Sequence, residues 1–252
     1  MEREIPVKTA ETAFGIIETI LDNEGMRFSE LQRELGMPKS TLHDHLRSLE
    51  SLGLLLKRGD EYRVSAAFLD MGETIKRHRP IYRAAADKVE ALATETSEHA
   101  SLMVEENGQG VLLDVKKGEA AVDINAYPGR RLPLSPHAPG KAILAYLPED
   151  RIEAILDEHG LEQYTGRTIT DREAFYDELD LVRERGYAID DEELIEGIKA
   201  LSVPVRTSGT VHGAITIGGP TRRMPAGRIE NDLLTTLKES VNVVELNLNV
   251  QS

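Results

Sequence analysis

The sequence predicts an α+β chain: a winged helix-turn-helix over residues 1–65, a linker helix over 66–80, and a domain of antiparallel sheet flanked by helices over 81–252. Three observations predict it. At 252 residues the chain exceeds one average domain, so two are expected. Near its start, two short helices are separated by the turn Gly36-Met37 and followed by two short strands, the pattern of a winged helix-turn-helix. Beyond residue 80, short apolar segments alternate with amphipathic helices, as in an α+β domain with a mainly antiparallel sheet.

The elements follow in order. Over residues 12–21, Ala13, Ile16, Ile17 and Ile20 stand at helical spacings on one face, and Gly25 ends the element. Ser29 starts a short helix with Leu31 and Leu35 four apart, and Gly36 caps it. Pro38 sits at a helix start, where its missing N–H is tolerated, and the next helix runs to Leu52, before Gly53. Residues 54–58 and 62–64 read as strands joined by Gly59-Asp60-Glu61. A helical pattern covers 66–96 with Pro80 as its interruption. Then come segments at 100–105, 110–115 and 121–126, a helix at 140–147, and charged helical stretches at 148–159 and 171–186. Segments at 187–190, 198–205 and 211–217 lead to a closing amphipathic helix over 226–248.

Composition narrows the function classes. The sequence contains no cysteine, which excludes disulfides, thiolate metal sites and thiol nucleophiles. No stretch approaches the roughly 20 apolar residues of a membrane span, and the start MEREIPVKTAE lacks the apolar core of a secretory signal; a cytoplasmic protein with no membrane partner is expected. The net charge is −14, but the acid is unevenly placed. Residues 1–80 hold 12 Lys/Arg against 14 Asp/Glu, and residues 81–252 hold 18 against 30. Arginines outnumber lysines. Such a composition suits a salt-rich cytoplasm, where charge is screened, and equally an ordinary acidic surface.

Read at about 100° per residue, the helix from Lys39 puts Leu42, Leu46 and Leu49 on one buried face and Ser40, Asp44, Arg47 and Ser51 on the opposite one, with His43 on the shoulder. Short hydrogen-bonding residues followed by His and Arg suit the donor and acceptor pattern of a DNA major groove. Ser40, Thr41, His43 and Arg47 are the candidates for groove contact, and Lys39, beside the helix start, for a phosphate. Lys57, Arg58 and Arg63 would place positive charge on the wing. The same face also fits plain solvation, with the helix-turn-helix used for packing. His43 and His45 point about 200° apart on a helix and cannot share a metal there.

The C-terminal half carries LPLSPHAPGKAILA (132–145), YTGRTITD (164–171), VRERGYAIDDEE (182–193), GIKALSVPV (197–205) and GAITIGGP (213–220). Together these resemble the effector-binding domain of the IclR family of regulators. Ser29-Glu30-Leu31, the run PKSTLH (38–43), Tyr62-Arg63-Val64 and FLDMG (68–72) are similar to that family's helix-turn-helix, wing and linker. The resemblance spans nearly the whole chain. It implies a winged-helix domain joined by a linker helix to a GAF-like domain, a homodimer or tetramer, double-stranded operator DNA as partner, and a small-molecule effector in the C-terminal domain. The effector expected on that basis is an organic or sugar acid. Carried over by motif, the effector positions are Ala121, Ile124, Ala138, Pro139, Asp190, Ala200, Thr216 and Gly218. Some members have Cys where Ala200 stands and Ser where Gly218 stands, so the pocket here has fewer polar groups. Backbone N–H groups of Ala138-Pro139-Gly140, at a helix start, suit a carboxylate. Arg130 and Arg131 either favour an acidic ligand or are solvated loop residues.

Nothing in the sequence demands an enzyme or a cofactor. Gly140-Lys141 lacks the Ser/Thr that follows in a P-loop, and Ser135 stands where its first Gly belongs. Gly218-Gly219-Pro220 is no dinucleotide fingerprint. Ser135, His137 and Asp190 lack the nucleophile-elbow context, and the acidic run 190–193 reads as a solvated cluster. The expectation is a ligand-controlled, DNA-binding transcription regulator. The rival from another class is a small-molecule sensor or enzyme whose helix-turn-helix serves assembly alone.

Overall fold

The computed structural model describes residues 5–251. Between Ile75 and Lys76 the chain divides into two compact units.

In the first unit, α1 (Lys8–Asp22), α2 (Phe28–Leu35) and α3 (Lys39–Ser51) surround a core made mainly of Ile16, Ile20, Leu31, Leu42, Leu46 and Leu55. The spacing of the isoleucines on α1 and of the leucines on α3 places them all on the inner side. Gly36, with φ of +61°, ends α2 in the left-handed conformation that glycine tolerates best. Strands β1 (Met26–Arg27), β2 (Leu55–Arg58) and β3 (Glu61–Val64) form an antiparallel sheet in the order β1-β3-β2. The hairpin turn is two residues, Gly59-Asp60, because Glu61 already pairs with Arg58; Gly59 takes positive φ. β1 has two residues, too few for any periodicity to announce it.

The helix α4 (Ala67–His78) runs across the division, and none of its residues is buried. Pro80 begins α5 (Pro80–Thr96), where its missing N–H breaks no helical hydrogen bond.

The second unit is built on a six-stranded antiparallel sheet, β6-β5-β4-β9-β8-β7. Its strands are β4 (His99–Glu106), β5 (Gln109–Lys117), β6 (Arg131–Pro133), β7 (Ala188–Asp191), β8 (Ile198–Thr207) and β9 (Thr210–Pro220). Both faces are covered. Leu102, Ile215 and Ile217 join Leu92 of α5 and Leu237 and Val241 of the closing helix in one core layer. Their strand neighbours Met103 and Ala214 face the other way. There they meet α6 (Ala138–Leu144), α7 (Glu149–His159) and α8 (Arg172–Arg185), with Phe175 and Leu179 at the centre. The closing run is not one smooth helix: a short turn α9 (Ala226–Arg228) and a π-helical segment (Ile229–Leu233) precede α10 (Leu234–Gln251).

Segment 121–126, expected as a strand, has no regular structure. Its backbone groups are claimed by side chains instead of a neighbouring strand. His99 Nε2 bonds the Val122 carbonyl, Asp123 accepts from the Asn125 N–H, and the Arg130 guanidinium donates to the carbonyls of Ile124 and Asn125. Asn125 itself sits at φ of +52°.

Candidate functional site

On α3, Lys39, Ser40, Thr41, His43 and Arg47 are exposed while Leu42, Leu46 and Leu49 are buried. Lys39, Ser40, His43 and Asp44 line a shallow depression together with Phe28 at the start of α2. The exposed face is thus a polar strip one helix wide, with Arg47 one turn beyond His43. His43 Nδ1 lies 3.7 Å from the Asp44 carboxylate. The wing residues separate. Arg63 opposes Leu56 and Arg58 opposes Glu61, so both arginines stand on one face of the hairpin. Lys57 points to the other, its ammonium 5.2 Å from the centre of the Tyr62 ring. Arg63 is paired with Glu61 at 3.0 Å, which reduces the charge it offers to a phosphate.

The second site is a cavity of about 100 Å3 in the second unit. Its floor follows from strand register. His99 on β4 opposes Gly218 on β9, Gly218 opposes Ala200 on β8, and Ala200 opposes Asp190 on β7. One row across four strands therefore carries a polar residue at each end and two minimal side chains between. With strands about 4.8 Å apart, the backbones of its two ends stand roughly 14 Å apart. Thr216, two residues from Gly218, lines the same space, as do Ile124 from the loop before β6 and Pro139 from α6. Met103, Leu112, Leu194 and Ile198 make the rest largely apolar.

Of the eight effector positions expected from sequence, six line this cavity: Ile124, Pro139, Asp190, Ala200, Thr216 and Gly218. Ala138 is fully buried in the core layer beneath α6, and Ala121 is not among the lining residues. Two histidines join them: His99, which no motif marks, and His137, the N-cap of α6.

The hydrogen bonds fix what each polar group offers. His137 Nδ1 accepts from the Gly140 N–H at 3.0 Å. Burial pushes its pKa down to about 4, so near neutral pH the ring is uncharged and its proton sits on Nε2, which has no partner among the described residues. His137 occupies the Gly140 N–H and its carbonyl the Lys141 N–H, so these two amides of the helix start are not free for a carboxylate. His99 Nε2 faces a carbonyl and must donate, leaving Nδ1, also without a partner among the described residues. Ser202 donates to the Ile215 carbonyl, so Thr216 donates to Ser202 and shows the cavity a lone pair. Asp190 is 4% exposed. It accepts from the Glu193 N–H at 2.7 Å, yet burial raises its pKa to about 7.

Behind Asp190 runs a chain of charges that is buried at Lys141 and Glu193 and half-buried at Glu178 and Arg185. Lys141, 1% exposed, pairs with Glu193 and, at 3.3 Å, with Glu178, which in turn meets Arg185 at 2.8 Å. Gly140 packs so tightly on the preceding turn that a Cβ there would lie 1.8 Å from the Leu134 carbonyl oxygen. Arg130 is held by the loop carbonyls, and Arg131 is exposed; neither lines the cavity. Among the described residues, no group of three or more His, Asp or Glu is placed to hold a metal ion, and no helix is long and apolar enough to cross a membrane.

Comparison with known proteins assigns a family to each part of the chain. The family model described as "IclR helix-turn-helix domain" matches residues 9–59, and "Bacterial transcriptional regulator IclR C-terminal" matches residues 73–245. A relative in Halobacterium salinarum, described as a probable HTH-type transcriptional regulator ArcR, is 30% identical, with 94% of this chain and 92% of the relative covered. The crystal structure of the Thermotoga maritima IclR superposes with a TM-score of 0.84 at 28% identity, covering 96% of this chain and 98% of that one. An IclR homologue from Microbacterium hydrocarbonoxydans, complexed with 4-hydroxybenzoate, shares the fold at a TM-score of 0.81 and 22% identity, over 96% and 99% of the two chains.

Proposed function

The chain belongs to the IclR family of bacterial transcriptional regulators, and from that premise we propose which residues read DNA and which hold the effector. It is a DNA-binding transcription regulator with an N-terminal helix-turn-helix and a C-terminal effector-binding domain. We infer no enzymatic activity and a cytoplasmic location, in line with the regulators it resembles.

In this reading α3 enters the major groove, with Ser40, Thr41, His43 and Arg47 at base edges and Lys39 at a phosphate. The observation that carries it is the clean split of α3 into a leucine face and a polar face. Lys57, Arg58 and Arg63 meet the duplex backbone beside it. The decisive experiment is binding to DNA from the upstream region of the protein's own gene, against scrambled DNA, across a salt series. Preference for the native DNA, weakening as salt rises, is expected. Each of Lys57→Ala and Arg58→Ala should lower the salt slope by about 1 without changing the sequence preference. Arg63→Ala should change it less, because Glu61 already balances that charge. An undiminished slope in all three would remove the wing from the interface.

The cavity over the His99–Asp190 row is the proposed effector site, formed by Ile124, Pro139, Asp190, Ala200, Thr216 and Gly218 with His99 and His137; Ala138 lies in the core beside it, and Ala121 is not assigned to it. Its volume supports a compact ligand, since a cavity of about 150 Å3 accepts benzene. Acceptors at His99 and Thr216 favour a ligand carrying hydroxyls. The proposed class is therefore a small hydroxylated organic or sugar acid.

A homodimer or tetramer completes the proposal. On α4, Leu69 is 72% exposed, with Met71 and Ile75 also uncovered, and no residue of that helix is buried within the chain. Sedimentation should give an even multiple of the chain mass, reduced by Leu69→Glu with Ile75→Glu. A monomeric wild-type protein at micromolar concentration would end this part of the reading.

A further inference from the structure

The cavity has no permanently charged cation in its lining to receive an acid. Its titratable lining groups are His99, His137 and Asp190; no Lys or Arg lines it. Lys141, the positive group nearest Asp190 in its hydrogen-bonded surroundings, is already balanced. It pairs with Glu193 and Glu178, and Arg185 balances the second carboxylate. The chain of four therefore carries no surplus charge. On the neighbouring strand, Lys199 is likewise paired with Asp191 at 2.7 Å. His137 cannot substitute, because its Nδ1 is occupied by the Gly140 N–H and its ring is neutral.

An anionic ligand entering this space would stand near the carboxylate of Asp190 with nothing to offset the repulsion, in a site where water does not screen it. Two carboxylates sharing such a site are stable when they share a proton. Resting on the reading of this cavity as the effector site, we infer that an acidic effector is bound together with one proton, held at Asp190, so that its affinity depends on pH.

The protonated Asp190 serves as a donor to the ligand carboxylate, His137 Nε2–H is the second donor, and the ligand hydroxyls meet His99 and Thr216. The free protein is poised for this. Asp190 titrates near neutrality because of its burial, while Glu193, which faces Lys141 and Glu178, is also raised by burial but keeps a cationic partner. The sign follows directly. Above pH 7 the free site loses the proton that the complex needs, so affinity for the acid falls by up to tenfold per pH unit; below pH 6 it levels off until the ligand itself is protonated.

The test uses glycerate and its uncharged isostere glyceramide, titrated calorimetrically into the full-length protein between pH 6 and 9, in phosphate and in Tris. Glycerate should weaken roughly tenfold from pH 7.5 to 8.5, with proton uptake seen as a difference in heat between the buffers. Glyceramide should bind with no pH dependence. Asp190→Asn, which keeps an oxygen for the Glu193 N–H, should bind glycerate with a flat pH profile and no uptake. Glycerate binding at constant affinity without uptake would overturn the inference and leave the effector site standing. Uptake that persists in Asp190→Asn would move the proton to an imidazole and overturn the assignment to Asp190. Binding of glyceramide alone would overturn the acidic class, and binding of neither compound would count against the hydroxy-acid reading of the cavity itself.

Discussion

Lys141→Met is expected to destabilise the second unit by about 3–5 kcal/mol, the usual result of removing one member of a buried ion pair. The side chain is 1% exposed and its ammonium sits between Glu193 and Glu178. Methionine fills nearly the same volume, so packing is not the issue. What is lost is the counter-charge of Glu193, itself 7% exposed, with a second carboxylate oxygen already lacking a partner among the described residues. Against a typical total stability of about 5–15 kcal/mol, that loss is large enough to read as a lower midpoint in chemical denaturation. Adding Glu193→Gln should recover much of it, because a neutral amide needs no cation. If Lys141→Met alone unfolds at the wild-type midpoint, the charge chain contributes nothing to the fold. Denaturation should be followed with a probe in the second unit, since the two units need not unfold together.

The second large effect concerns DNA. Arg47→Ala should weaken operator binding by about 1–3 kcal/mol, or roughly 5- to 150-fold, and flatten the preference at one base position. Arg47 is exposed on α3, on the same strip as Ser40 and His43. Stability and ligand binding by the second unit should be unchanged. A uniform loss over all sequences, with a shallower salt slope, would instead make Arg47 a phosphate contact.

The division between what could and could not be read from the sequence has physical causes. The leucines of α3 and the isoleucines of α1 obey a period set by the helix itself, so the polar strip was legible without any structure. Pro80 and Gly36 mark boundaries because of their own backbone limits. The cavity positions came from motif resemblance rather than from periodicity, and the two that miss it do so for local reasons. Ala138 opens α6 on the side that packs into the core, and Ala121 lies in a loop whose path is set by side-chain contacts. That loop reads as a strand in the sequence because its alternation of Val122 and Ile124 is real, while the hydrogen bonds that override it come from His99 and Arg130. His99 itself could not have been found: a single histidine in a strand has no spacing to betray it, and only register places it across from Gly218. The pairing of Lys141 with Glu193, 52 residues apart, was equally invisible to any local pattern.

The order of strands also has a consequence for synthesis. At the centre of the sheet β4 pairs with β9, so that Ala100 faces Ile217 and Leu102 faces Ile215. As the chain leaves the ribosome, β4 and β5 can zip together at once, but the inner edge of β4 must wait for about a hundred further residues. At about 5–20 residues per second, that edge stays open for roughly 5–20 s, showing unpaired backbone beside Leu102, Met103 and Val104. An open apolar edge is a template for pairing with another nascent chain. The stretch between the two strands contains α6, α7 and α8, which can cover one face of the early hairpin before its edge is closed. Any truncation that stops short of residue 210 would therefore be expected to yield aggregates rather than a smaller soluble domain.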